Sequence, residues 1–124
     1  GKVHCRAVKK GVEMLLRIEL FLEGGTCFVF IEESRYWPFV LENQSDYPLN
    51  FNQLGCDTIT RKLEPKSVMQ YAWDAPSEKS KSIEIHVYGR KKEINLNEIG
   101  LRAPFSFRLP DNTKHFISID IVAS

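Results

Sequence analysis

Apolar and polar residues alternate one by one along much of this chain, a period of two rather than 3.6. In Ser82-Ile83-Glu84-Ile85-His86-Val87 the apolar side chains fall on every second position, and Ile117-Ser118-Ile119-Asp120-Ile121 repeats the pattern. Successive side chains of an extended backbone point to opposite faces, so Ile83, Ile85 and Val87 share one face and His86 is expected toward solvent. Both segments are predicted strands. Residues 12–22 form a longer apolar run, followed at once by Gly24-Gly25 and by the β-branched and aromatic residues 26–31. The glycines supply the positive φ that a tight turn needs, which predicts a hairpin. Met14, Leu15, Leu16, Glu19 and Leu20 are good helix formers and leave a helix over 12–22 as the alternative. The alternation of Arg17 and Glu19 with Ile18 and Leu20 favours the strand.

Residues 32–36 read as a charged connector. Further strands are predicted over 37–41, 49–54, 58–63 and 68–73, with turns at 43–48, at Glu64-Pro65-Lys66-Ser67 and at Asp74-Ala75-Pro76. A polar loop over 77–82 precedes the strand that runs to Tyr88 and the turn at Gly89. A short segment, 93–96, leads to Asn97-Glu98-Ile99-Gly100, and 105–109 with 116–122 closes the chain as a strand pair around Pro110-Asp111-Asn112. About ten short strands separated by turn signals predict an all-β fold, an antiparallel β-sandwich. At 124 residues the chain is long enough to bury a core as a single domain over 1–124.

Composition narrows the function. Lys and Arg number 17 against 16 Asp and Glu, so no net field draws in nucleic acid or an anionic membrane. One local basic patch, Lys79, Lys81, Arg90, Lys91 and Lys92, reads either as a solvated loop edge or as a membrane-surface patch. Three cysteines, Cys5, Cys27 and Cys56, cannot all pair with one another and have no Cys-x-x-Cys spacing, which suggests reduced thiols in the cytosol. Gly1-Lys2-Val3 has no signal-peptide character, and no apolar stretch approaches the roughly 20 residues that span a bilayer. The chain reads as a cytosolic piece of a longer protein. His4, His86 and His115 form no metal-ligand pair, no nucleophile elbow or phosphate loop occurs, and no cofactor is expected. Asp46 and Asp74 suit turns better than a catalytic carboxylate pair. Asn43-Gln44-Ser45 matches a glycosylation sequon, which matters only in a secreted protein. An Asn in a turn also bonds backbone groups two residues on, and that alone accounts for Asn43.

Trp37-Pro38-Phe39-Val40-Leu41-Glu42-Asn43-Gln44-Ser45-Asp46-Tyr47-Pro48-Leu49 resembles the repeat signature of the adaptor-binding region in the vacuolar-protein-sorting-thirteen family. There an aromatic-Pro-aromatic strand leads to an Asn and a small polar residue before an apolar strand resumes. About twenty residues later, Pro65-Lys66-Ser67-Val68-Met69-Gln70-Tyr71-Ala72-Trp73-Asp74-Ala75-Pro76 is similar to the family's proline turn and Tyr-Ala-Trp-Asp strand end. Ile94-Asn95-Leu96-Asn97-Glu98-Ile99-Gly100 fits the end of such a repeat. The resemblance covers residues 12–100; residues 1–11 then read as a boundary with a preceding repeat and 101–124 as a C-terminal strand pair. Tyr71-Ala72-Trp73-Asp74 and the tail after Gly100 point to a late repeat, the last included.

The resemblance implies a non-catalytic module in a bridge-like lipid transfer protein at organelle contact sites. Such a repeat binds short proline-any-proline motifs of organelle adaptors, and Asn43 is its hallmark Asn. The membrane association implied is indirect, through the adaptor. A peptide can add to an open strand edge, where its prolines have no N–H to leave unsatisfied. Tyr47, Tyr71 and Trp73 are candidate rings for the prolines, although core packing is the favoured account of Trp37, Phe39, Tyr71 and Trp73. Asn43 either bonds the peptide directly or fixes the turn that shapes its groove. An architectural repeat that only positions its neighbours is the alternative.

Overall fold

A computed structural model of the chain describes residues 2–75 and 81–123. Pro76, Lys79 and most of the predicted loop 77–82 lie outside the described residues. Every regular element among the described residues is a β-strand, so the helix alternative for 12–22 is not realised. The strands number thirteen among the described residues, against the ten or so expected. They fall into two compact units, one of residues 2–41 with 69–75 and one of 42–68 with 81–123.

In the first unit β1 (Lys2–Lys9), β2 (Val12–Glu23) and β3 (Thr26–Ser34) make an antiparallel three-stranded sheet with β2 central. Gly24 and Gly25 link Glu23 to its partner Thr26 with φ of 59° and 79°. Two positive φ values match the right-handed twist of the flanking strands, and glycine adopts them at no steric cost. β1 occupies residues read from sequence as a mere boundary. β3 runs through Glu32 and Glu33 to Ser34, because β2 is long enough to supply each of them a partner. The first three residues of the predicted connector are therefore the end of a strand, and Arg17 bonds Glu32 across the pair.

Residues directly opposite in an antiparallel pair share a face. One face carries Val3, Cys5, Leu16, Ile18, Leu20, Leu22, Val29 and Ile31, and Leu22 is 77% exposed. The other carries Leu15 and Arg6 toward the unit's interior and the stacked rings of Phe21, Phe28 and Phe30 toward the turn. The interior is built from Leu15, Tyr71 and Ala72, with Phe39 and Trp73 in edge-to-face contact at 5.1 Å.

β4 (Phe39–Asn43) pairs with β7 (Ser67–Tyr71), and both strands carry the chain from one unit to the other. In the second unit β5 (Leu49–Gln53), β6 (Arg61–Leu63), β8 (Ser82–Val87) and β9 (Arg90–Asn95) form an antiparallel sheet in the order β6-β5-β8-β9. β10 (Gly100–Leu101) pairs with β13 (Asp120–Ile121), and β11 (Phe105–Arg108) with β12 (Lys114–Ile117). Ile83, Ile85 and Val87 are all buried, as their alternation requires, and Ile83 faces Ile94 while Ile85 faces Phe51. Each such burial contributes about 1.5–3 kcal/mol. Val87 packs with Phe107 and Ile117, flanked by Tyr47 and Leu49, so the sheet and the β11–β12 hairpin form two layers in the manner of a sandwich.

Three expectations are corrected here. The predicted strand 58–63 shrinks to Arg61–Leu63, the only part that finds a partner on β5. The predicted strand 116–122 breaks at Ser118-Ile119, after which β13 leaves β11 for β10. Alternation reports the face a residue occupies but not the strand it pairs with. His86 does not simply face water: its Nε2 lies 2.8 Å from Asn52 Oδ1 and 3.2 Å from Glu84.

Candidate functional site

Asn43 ends β4 and is only 3% exposed. A side-chain amide offers two donors and an oxygen with two lone pairs. Asn43 Nδ2 donates to the carbonyl of Tyr47 at 2.7 Å and to that of Leu63 at 3.2 Å. Its Oδ1 accepts from the Ser45 backbone N–H at 3.0 Å and from the Ser45 hydroxyl at 2.6 Å. The whole capacity of the amide is thus met within the chain. The bond to Ser45 closes an Asx turn, and the bond to Leu63 ties that turn to β6, twenty residues further on. Lys66 fastens the outside of the loop by donating to the carbonyl of Gln44, with Asp46 at 3.6 Å.

Tyr47 leads from this turn into the core. Its ring meets Phe107 edge-on at 5.0 Å, and its hydroxyl lies 2.6 Å from His115 Nδ1. His115 Nε2 is 2.9 Å from the Thr113 hydroxyl, which together with the Thr113 backbone N–H donates to Asp111. The Thr113 hydroxyl bond, then its backbone bond, and more weakly the charge of His115 hold the Asp111 carboxyl below its ordinary value. A hydrogen-bonded run thus links the Asn43 turn to the β11–β12 turn.

Tyr71 and Trp73 fall in the other unit. Tyr71 is 0% exposed, beneath the Arg6 guanidinium at 4.6 Å, and Trp73 meets it edge-on at 5.8 Å. Arg6 also lies 3.4 Å from Asp74 and over the Trp37 ring. The four candidate residues therefore form two pairs, Asn43 with Tyr47 and Tyr71 with Trp73. Asp46 and Asp74 each face a cation of their own unit rather than acting as a carboxylate pair. Sequence reasoning did not find His115 or Arg6. His115 sits 68 residues from Tyr47, and Arg6 precedes the segment that carried the motif.

The chain is thus an all-β domain in which the buried Asn43 side chain organises a turn. The model of one family, described as the adaptor binding domain of vacuolar-sorting associated protein 13, matches residues 1–80. An intermembrane lipid transfer protein VPS13 from Chaetomium thermophilum is 32% identical over 99% of this chain. An intermembrane lipid transfer protein vps13A from Dictyostelium discoideum is 29% identical over 69% of it. The chain belongs to the vacuolar-sorting associated protein 13 adaptor binding domain family, and its role is adaptor binding. It spans 4% and 3% of the lengths of these two relatives.

Proposed function

We propose that this domain is a non-catalytic module that binds proline-any-proline motifs of organelle adaptors, and so recruits a cytoplasmic lipid transfer protein to membrane contact sites. The observation that carries the reading is the Asn43 amide, buried and satisfied entirely by its own chain. This supports a groove-shaping role in preference to a direct bond to the peptide. Asn43 holds the loop to Tyr47 and the outer strand β6 in one arrangement, and the adaptor peptide adds alongside that end of the four-stranded sheet. A pre-set edge lowers the ordering cost of binding, and a proline's fixed φ lowers it again. Tyr71 and Trp73 support their own unit from within, and Tyr47 supports the loop from below.

Isothermal titration of a proline-any-proline peptide into the wild-type chain and Asn43→Ala tests this. A folded Asn43→Ala that binds about tenfold or more weakly is expected, since freeing two carbonyls relaxes the loop. Unchanged affinity in a folded variant overturns the groove-shaping role, and absence of peptide binding by the wild type at low salt overturns the motif reading.

A second reading, an architectural repeat that positions its neighbours, is favoured by the exposed aliphatic face of β1–β3. In a chain as long as these relatives, an adjoining repeat is a suitable cover for that face. Peptide binding that survives Leu20→Ser and Val29→Ser separates the two roles.

A further inference from the structure

Net charge near zero hides a local excess. Gly89, Arg90, Ser106, Arg108 and Lys114 surround a surface pocket of about 370 Å³, with Tyr88 and Phe107 as its aromatic part. The pocket lies wholly in the second unit. Arg90, Arg108 and Lys114 enter none of the ion pairs among the described residues, although most other described arginines there and elsewhere do. The one acid in the neighbouring turn, Asp111, spends its Oδ1 on Thr113.

Two features of the backbone point the same way. Arg108 and Lys114 are direct partners in the β11–β12 register, on the face away from the core. Like charges directly opposite one another destabilise a strand pair, and a shared anion removes that cost. Tyr88 takes φ of 43° in a two-residue turn with Gly89, a conformation that disfavours any residue with a side chain. The strained residue sets its ring parallel to Phe107, at 5.8 Å and 6°, beside the three cations.

We propose that the Arg90, Arg108 and Lys114 pocket binds a phosphomonoester headgroup of a membrane lipid. Arginine forks suit phosphate oxygens; Arg108 already donates from Nη1 to the Asn112 carbonyl at 2.9 Å, which leaves its other guanidinium nitrogens for the ligand, and the Ser106 hydroxyl adds a donor. The membrane source is favoured by Phe116, which the register places opposite Ser106 on the same outward face, 61% exposed, with the Lys114 ammonium 5.4 Å from its ring. An exposed aromatic flanked by cations suits the boundary between headgroups and acyl chains. The pocket shares Phe107 and Tyr88 with the packing of Tyr47, but its proposed ligand does not depend on the adaptor reading.

Co-sedimentation of the 124-residue chain with three vesicle compositions tests it: phosphatidylcholine alone, with phosphatidylserine, and with a phosphatidylinositol monophosphate at matched charge. Preference for the phosphomonoester vesicles is expected, with a loss of about tenfold or more in Arg108→Gln/Lys114→Gln. Lys10→Gln/Lys62→Gln removes the same charge outside the pocket and is expected to change binding less than about twofold. Arg108→Gln alone, with a thermal melt, serves if the double variant does not fold. Phe116→Ser is expected to weaken vesicle binding but not binding of a soluble inositol phosphate. Equal binding to both anionic vesicles, or equal loss in the control pair, overturns the proposal. So does binding of inorganic phosphate or a phosphopeptide without any vesicle binding, or no anion binding at all.

Discussion

The sheets β1–β3 and β6-β5-β8-β9 are written in the same alternating code and resolve it differently. In the second, Ile83, Ile85 and Val87 go inside while Glu84 and His86 share polar contacts on the other face. In the first, Leu20 and Phe21 lie on opposite faces and both are exposed. β1–β3 is built from consecutive hairpins with two-residue turns, whereas β5 reaches across the chain to β8. Local pairing closes with small loop entropy and needs little burial to persist; pairing at a distance needs a core to hold it. Period two therefore predicts a strand in both places, but only the covering layer decides which faces are energetically important.

Substitution of phenylalanines is the most forceful way to break this comparison. Phe107→Ala empties a buried site next to Val87 and Ile117 and is expected to cost about 3–5 kcal/mol. Phe28→Ala, on the exposed stack, is expected to cost about 1 kcal/mol or less. Chemical denaturation with hydrogen exchange at the Phe51 and Ile85 amides measures the first. Both tryptophans, Trp37 and Trp73, belong to the first unit, so their fluorescence measures the second. Equal costs at the two positions contradict the distinction.

Asn43→Ala comes next. It leaves the Tyr47 and Leu63 carbonyls without the amide donor, which is expected to cost about 1–3 kcal/mol. The loss should appear as faster exchange around β5 and β6, with tryptophan fluorescence little changed. Asn43→Asp is expected to be no better, because a carboxylate keeps the Ser45 bonds but presents oxygen to two carbonyls. An Asp variant as stable as wild type removes the donor role assigned to Nδ2.

The sequence makes half of this turn legible. Asn two residues before Ser is an Asx-turn spacing, and Asn43-Gln44-Ser45 displays it whatever the fold. The Leu63 bond is not legible, because its acceptor is a backbone carbonyl and every residue carries one. Strands such as Ser82–Val87 were readable because alternation is a property of the extended backbone itself. β1 also alternates, with Val3, Cys5 and Ala7 between Lys2, His4 and Arg6, but it precedes the motif that organises the rest of the chain. The break in 116–122 is invisible for another reason: its alternation continues unbroken while the pairing partner changes from β11 to β10. Arg90, Arg108 and Lys114 are likewise scattered in sequence and meet only through register and packing.

On the exposed aliphatic face the expected effects are smaller still. Leu20→Ser and Val29→Ser remove facing side chains that water already reaches, and each is expected to change stability by about 0.5 kcal/mol or less. Tryptophan fluorescence during urea unfolding is the appropriate measure. A loss of several times that size in the isolated chain means the face is covered, which sets it level with the core of the second unit.

The smallest effect tests the polar run in the second unit rather than its core. Folding lowers the Asp111 pKa, chiefly through the Thr113 hydroxyl bond, so the folded state holds that proton less tightly than the unfolded one. The resulting stabilisation is fully present above the ordinary value of 3.8 and is lost as pH falls through the lower folded value. Asp111 is exposed, and solvent screening keeps the contribution slight. Unfolding midpoints of wild type and Asp111→Asn are therefore expected to differ a little at neutral pH and to converge in acid. Carboxyl titration by NMR reads the folded pKa directly, and Thr113→Val should return it toward 3.8. If Thr113→Val leaves it low, the Thr113 backbone N–H, which the substitution keeps, governs the site rather than the hydroxyl. The β11–β12 turn's own backbone would then set the carboxyl's pKa, independently of the run to Tyr47.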